Sequence, residues 1–276
     1  MKKKEQPKRI AFIGAGNMSR SIIGGLIEQK YPADHIIAAN PSSPKLVQLG
    51  IDFGVDAHLD NLVAARQADV IILGVKPQMM STVCDQLSSL GDDLKDKLII
   101  SLAAGVTCKR LVELLDYPVS LIRCMPNTPC LYGKGMSGLY SHNASEDECR
   151  LATNIINATG EVIWVDDERQ IDAVTAISGS GPAYFFSFME AMVAKAKDLG
   201  FDEYTAKLLV QQTALGAATM VKHSDIDLTT LKDNVTSKGG TTAAALAVFE
   251  QQRLQAIVED AVQAAADRAE QLSQNI

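Results

Sequence analysis

Over its first 165 residues the chain alternates short apolar runs with segments whose apolar positions recur every three to four residues. The runs are Ile10–Ile13, Ile36–Ala39, Val70–Val75, Leu98–Leu102, Ser120–Arg123 and Val162–Val165. Several are continuous and β-branched, as strands covered on both faces should be. Helical periodicity over Met18–Gln29 and Asn61–Gln67 lies between them. This βαβ alternation predicts a doubly wound parallel sheet with right-handed crossovers. Beyond Asp166 the strand-like runs stop. Ala-rich helical patterns follow at Pro182–Leu199, Glu203–Lys222, Leu228–Asn234, Thr242–Glu250 and Leu254–Ser273. Ala-rich helices bury little area per residue, so close partners are expected, another subunit among them. The pattern predicts an α/β domain over 1–165 and an all-helical domain over 166–276, parted at the charged run Asp166-Asp167-Glu168-Arg169.

Composition narrows the class. Apolar residues make up 47% and charged residues 21% of the 276, near globular averages, which excludes a disordered or fibrous chain. A net charge of -7 argues against a nucleic-acid partner, because such proteins carry a basic surplus. The five cysteines, at 84, 108, 124, 130 and 149, form no C-x-x-C, and the four histidines are scattered. No metal site or disulfide framework is expected; reduced thiols in a cytoplasmic protein fit better. No apolar stretch approaches the roughly 20 residues of a spanning helix, so no membrane partner is expected. Lys2–Lys4 read as a solvated tail ahead of the first strand rather than a signal peptide, because the apolar run that follows is too short.

The first run leads directly into Gly14-Ala15-Gly16-Asn17-Met18-Ser19 and then a helical pattern. Gly14 permits a tight turn, Gly16 lets backbone approach a pyrophosphate, and the helix N-terminus offers unpaired N–H groups. Strand before and helix after mark a Rossmann-type dinucleotide site. The end of the second run sets the coenzyme. NAD sites place Asp or Glu there to accept from the ribose hydroxyl; this chain has Asn40-Pro41-Ser42-Ser43, with Lys45 nearby. Neutral donors and a cation suit a 2′-phosphate, so NADP(H) is expected ahead of NAD(H), although Asn-Pro-Ser is also ordinary turn chemistry. Val75-Lys76-Pro77 ends a strand at the ligand-binding edge of such sheets, and Asn61 is expected to face the same crevice. Ala103 and Ala104, after another strand, leave room for a flat ring. Met125-Pro-Asn-Thr-Pro129 reads as a rigid loop beside the reacting centre or as a structural turn.

In the second half, Ser237-Lys238-Gly239-Gly240-Thr241-Thr242 opens a helix. The N–H groups of Gly239, Gly240 and Thr241 are expected to hold a carboxylate, with the Ser237 and Thr242 hydroxyls reaching the substrate's other polar atoms; a plain capped helix start is the alternative. Asn234, one turn earlier, is a candidate link to the coenzyme. Ser178-Gly-Ser-Gly-Pro182 marks a bend. No Lys or His follows Gly181 at a position that would serve a hydroxy-acid dehydrogenase as proton donor. Hydroxyls and amides alone suit a substrate that is already cationic, such as a cyclic imine protonated by water.

These residues place the sequence in a resemblance to pyrroline-5-carboxylate reductases over essentially the whole chain. It is carried by IGAGNM at 13–18, VKP at 75–77, AAGV at 103–106, MPNTP at 125–129, SGSGPAY at 178–184 and LKDNVTSKGGTT at 231–242. The resemblance implies NADPH-dependent reduction of (S)-1-pyrroline-5-carboxylate, a cyclic imino acid, to L-proline as the final step of proline biosynthesis. It implies homodimers through the C-terminal domain that assemble further into decamers. It also implies that Ser237 to Thr242 hold the carboxylate and imine nitrogen, that Thr242 donates to that nitrogen, and that Glu168 lies near the substrate. Ser19, where Gly or Ala is usual, and Lys238, where Pro is usual, depart from the pattern. A dehydrogenase of β-hydroxy acids and a non-catalytic NADP(H)-binding regulator are the alternatives.

Overall fold

The structure, a computed structural model, describes residues 6–274; Lys2–Lys4 lie outside them. Eight strands form one sheet in the order β3-β2-β1-β4-β5-β6-β7-β8. They are β1 (Ile10–Ile13), β2 (Ile36–Ala39), β3 (Asp56–His58), β4 (Val70–Leu73), β5 (Leu98–Ser101), β6 (Ser120–Met125), β7 (Gly135–His142) and β8 (Gly160–Trp164). The first six are mutually parallel, in the doubly wound order 3-2-1-4-5-6. Strand β7 runs antiparallel to β6, and β8 parallel to β7.

Each central strand is buried on both faces, and alternate residues feed separate cores. Ala11 and Ile13 of β1 and Ile71 and Leu73 of β4 face α3 (Asn61–Gln67), α4 (Met80–Ser88) and α5 (Cys108–Leu115). Ile10, Phe12, Val70 and Ile72 face α1 (Asn17–Glu28), α2 (Ser43–Phe53) and α6 (Glu146–Ile156). The doubly wound parallel sheet expected from sequence is extended by β7, which was not foreseen and pairs antiparallel with β6. Its Gly-Met-Ser-Gly start carries no apolar run. Strand β3 was also unforeseen, because its Asp-Ala-His sequence is solvated.

Helices α7 (Gln170–Val174), α8 (Gly181–Asp198), α9 (Glu203–Lys222), α10 (Leu228–Asn234), α11 (Thr241–Gln251) and α12 (Leu254–Gln274) complete the chain. Between α7 and α8 one wider turn intervenes, in which the Ser180 N–H reaches the Thr175 carbonyl, five residues back, at 2.8 Å. This is the bend expected at Ser178–Pro182. By packing, residues up to Ser180 and those from Ala265 form one compact unit, and Gly181–Ala264 the other. Segment 166–180 goes with the sheet because Arg123 of β6 holds it, as described below.

The second unit has little interior of its own. Phe185, Phe186, Leu215 and Tyr204 are each more than 60% exposed, an apolar display typical of a surface that needs a partner.

All five thiols are unpaired. Burial pushes the Cys84 thiol up to about 12 and raises those of Cys108 and Cys124 as well, whereas Cys149 is partly exposed. Because the thiolate is the nucleophile, iodoacetamide at pH 8 should modify Cys149 first and the other four only after unfolding. Peptide mass spectrometry reads this; comparable native labelling of Cys84 or Cys124 would contradict it.

Candidate functional site

Strand β1 ends at Ile13, and the chain turns at Gly14 with φ +101°. A Cβ there would lie 2.8 Å from Val75 Cγ1 and 2.9 Å from the Gly74 backbone, so both space and backbone angle demand glycine. The turn is pinned by the Gly14 N–H donating to the Ala39 carbonyl at 2.8 Å and by the Ser19 hydroxyl donating to the Gly14 carbonyl at 2.6 Å. Ser19, which departs from the family pattern, therefore stabilises the turn. Gly16 caps α1 without a side-chain acceptor, leaving first-turn N–H groups available to an anion.

A cleft of about 650 Å³ opens where the strand order reverses, past the carboxyl ends of β1 and β4, the usual ligand position of open α/β sheets. It brings together Gly14, Ala15, Gly16, Asn40, Pro41, Asn61, Val75 and Lys76 of the expected set, and Lys45. The other expected coenzyme residues lie outside its wall. Asn17 and Met18 begin α1, with Met18 packed on the core. Ser42 caps α2 and Pro77 opens the turn into α4. Ala103 is buried after β5, with Ala104 beside it. Sequence reasoning missed Asp60, Met79, Thr82 and Gln86, which line the cleft from the start of α3, from the turn into α4 and from α4 itself. Asn61 donates to Gln86 Oε1 at 2.8 Å, and Asp60 is occupied capping the Leu62 N–H. Among the described residues, neither Lys45 nor Lys76 stands in an ion pair. Glycine turn, free helix N–H groups and two uncompensated cations fit a dinucleotide bearing several phosphate charges.

In the helical unit, Asp227 caps α10 through the Thr230 N–H, and Asn234 is that helix's last residue. The chain folds back, with the Thr236 hydroxyl on the Lys232 carbonyl at 2.7 Å. It reverses at Gly239, where φ is +72°. Gly240 caps α11 with no side-chain bond. The expected donor set changes here: the Gly240 N–H is spent on the Ser237 carbonyl at 3.0 Å. The first bond of α11 back to its cap is from Ala244 to Gly240, so the N–H groups of Thr241, Thr242 and Ala243 are the open ones. Ser237 and Gly239 are exposed, and Thr242 is half-buried.

Glu168 is already engaged. Its Oε1 accepts from the Cys108 N–H at 2.7 Å, at the start of α5, and from Arg123 at 3.1 Å. Arg123, buried in β6, also donates to Asp172 Oδ1 at 2.9 Å and to the Ser273 hydroxyl at 3.4 Å. Neither Arg123 nor Asp172 was foreseen; an Arg within an apolar strand run was the available signal. Asn127, in the Met125–Pro129 loop, donates to the Ser178 carbonyl at 2.9 Å and accepts from the Met136 N–H at 2.9 Å. It ties that loop to the bend before α8.

Comparison with known proteins extends this picture. Residues 168–272 match the family model described as pyrroline-5-carboxylate reductase dimerisation, and residues 9–105 match NADP oxidoreductase, coenzyme F420-dependent. The chain is 50% identical to the pyrroline-5-carboxylate reductase of Vibrio alginolyticus, covering 96% of this chain and 97% of that one. It is 48% identical to that of Haemophilus influenzae, over 97% and 98% respectively. The solved pyrroline-5-carboxylate reductase of Coxiella burnetii superposes with a TM-score of 0.92 at 41% identity, covering 97% of this chain and 99% of that one. The Plasmodium falciparum pyrroline carboxylate reductase, solved with NADP bound, gives 0.85 at 29% identity, over 96% and 98%.

Proposed function

The chain belongs to the pyrroline-5-carboxylate reductase family, and from that premise we propose how its residues divide the work. It is an oxidoreductase that reduces (S)-1-pyrroline-5-carboxylate to L-proline at the expense of NADPH. The coenzyme, when bound, supplies a hydride. Gly14 and Ala15 shape the turn that lets the coenzyme's phosphates approach Gly16 and the open N–H groups at the start of α1, Lys45 and Lys76 balance its charge, and Asn40, Pro41, Asn61 and Val75 shape the walls of the cleft. Asn17, Met18, Ser42, Pro77, Ala103, Ala104 and Asn234 are assigned supporting contacts.

The open N–H groups at the start of α11, with Gly239 and the Ser237 hydroxyl, take the substrate carboxylate. The ring nitrogen enters as an iminium, protonated by water, so no acidic side chain is required. As hydride reaches carbon, the C=N π pair becomes a nitrogen lone pair. The Thr242 hydroxyl donates to that lone pair, an interaction that grows only as the reaction proceeds and so assists catalysis rather than mere binding. Glu168 acts by holding Arg123 and the start of α5. The geometric observation that carries the reading is the glycine-turn cleft at the strand-order reversal. Its test is NADPH consumption at 340 nm with the purified chain: turnover is expected with pyrroline-5-carboxylate and none with β-hydroxy acids and NADP+. Folded protein that binds NADPH yet leaves the imine untouched would overturn it.

The chain forms homo-oligomers. We assign coenzyme binding to 1–165 and substrate binding and dimerisation to 166–276, as the ranges of the two family models support. Dimers are proposed to associate into a decamer; sedimentation velocity should show no monomer at micromolar concentration, and a species no larger than a dimer would remove the decamer. Five unpaired thiols support a reducing, cytoplasmic setting. No helix among the described residues is long and apolar enough to cross a membrane.

A further inference from the structure

Two motifs are left without a task by the chemistry above, Met125-Pro126-Asn127-Thr128-Pro129 and Ser178-Gly179-Ser180-Gly181-Pro182. Asn127 joins them. Strand β6 ends at Met125, and Asn127, two residues on, is buried. Its Nδ2 donates to the Ser178 carbonyl and its Oδ1 accepts from the Met136 N–H, both at 2.9 Å. One backbone acceptor and one backbone donor thus fix which way round the amide lies. Close packing adds to the bonds: a Cβ on Gly179 would lie 2.8 Å from Met125 Cε.

Pro182 is the reason a side chain is needed there. In an unbroken α-helix the Ser178 carbonyl would receive the N–H of the residue four places on. That residue is Pro182, which has no N–H. The chain also widens just before it, where the Ser180 N–H reaches back to the Thr175 carbonyl, and wide turns of this kind recur at functional sites. The Asn127 amide meets the carbonyl that the proline leaves. Strand β5 pairs with β6 so that Ser101 lies opposite Arg123. Ala103–Ala104 and Met125–Asn127 therefore leave neighbouring strands at the same carboxyl edge.

We propose that Asn127 is a positioning residue for hydride transfer. Standing in for the N–H that Pro182 lacks, it locks the 125–129 loop to the wide turn at 175–179, as one wall beside the ring space at Ala103–Ala104. This rests on the reductase reading above. Asn127→Asp keeps the acceptor for Met136 but, when ionised, sets an oxygen against the Ser178 carbonyl. When protonated it regains a donor, and burial favours that neutral form. Asn127→Ala loses both bonds at every pH.

The three full chains are compared by kinetics with the imine and NADPH between pH 6 and 8, by 2′,5′-ADP titration, and by hydrogen exchange without coenzyme. Both variants should bind 2′,5′-ADP within about twofold of the unaltered chain, because its cleft lies past β1 and β4. At pH 8 both should lose at least about fivefold in kcat, the scale of a small misplacement of reacting groups, with smaller changes in KM. Relative to the unaltered chain, Asn127→Asp should recover as pH falls towards 6, and Asn127→Ala should not. Exchange should quicken over 175–181 in both variants at pH 8, and over 134–138 only in Asn127→Ala. A smaller loss of kcat in Asn127→Ala, equal pH profiles for the two variants, or unchanged exchange over 175–181 would overturn the proposal. No turnover by the unaltered chain, with exchange as expected, would instead sink the reductase reading and leave the brace standing.

Discussion

Thr242→Ala is expected to lower kcat/KM for pyrroline-5-carboxylate by about 100-fold, on the scale of losing one preorganised donor to developing charge, while the Kd for NADP+ stays within about twofold. The asymmetry follows from where the residue sits. Thr242 is the second residue of α11 and half-buried, whereas the coenzyme cleft is built from β1, β4 and the turns beside them. The methyl side chain keeps the open backbone N–H groups of α11, so substrate still binds through its carboxylate and the loss falls mainly on kcat. Thr242→Ser, which restores the hydroxyl, should recover most of the rate. A loss under fivefold in Thr242→Ala would mean that the nitrogen needs no donor from this position. An equal loss in Thr242→Ser would mean that the methyl group, not the hydroxyl, is what matters.

The parts of this molecule that announce themselves in sequence are those whose function demands an unusual residue. Gly14 must be glycine because of its φ and its neighbours, and Gly239 reverses the chain in the same backbone region; both stood out as glycine runs. The β-branched runs of β1, β4 and β5 were legible because burial on both faces removes the need for polar alternation. What escaped depended on contacts between distant residues. Strand β7 is read as a loop until its pairing with β6 is seen, since Gly and Ser dominate its start. The walls of the cleft at Met79, Thr82 and Gln86 come from a turn and helix with no motif of their own. Asn127 was readable as part of a rigid loop, but not as a tie, because its partners lie 51 and 9 residues away. The Gly240 N–H looked like an open donor until local geometry gave it to Ser237.

Arg123 carries the largest expected effect on stability. Its side chain is 2% exposed, and its partners Glu168 and Asp172 are 22% and 14% exposed. A charge placed in a β-strand core is tolerated only when paired, because removing an ion from water costs several kcal/mol. Two carboxylates and the Ser273 hydroxyl meet it there, and Ser273 in turn donates to Asp172 at 2.9 Å. The cluster thus gathers β6, the start of α5, α7 and the end of α12 around one guanidinium, and it accounts for segment 166–180 packing with the sheet. Arg123→Met preserves much of the volume but strands two poorly solvated carboxylates, and should cost about 3–5 kcal/mol, the range for breaking a buried pair from one side. Pairing of opposite charges, rather than packing, is what the arrangement needs. Arg123→Met combined with Glu168→Gln and Asp172→Asn should therefore regain much of that loss, since no uncompensated charge is left inside. Urea denaturation at one fixed protein concentration, needed because association shifts apparent stability, compares the three chains. A triple variant no more stable than Arg123→Met would show that shape, not charge balance, holds this junction.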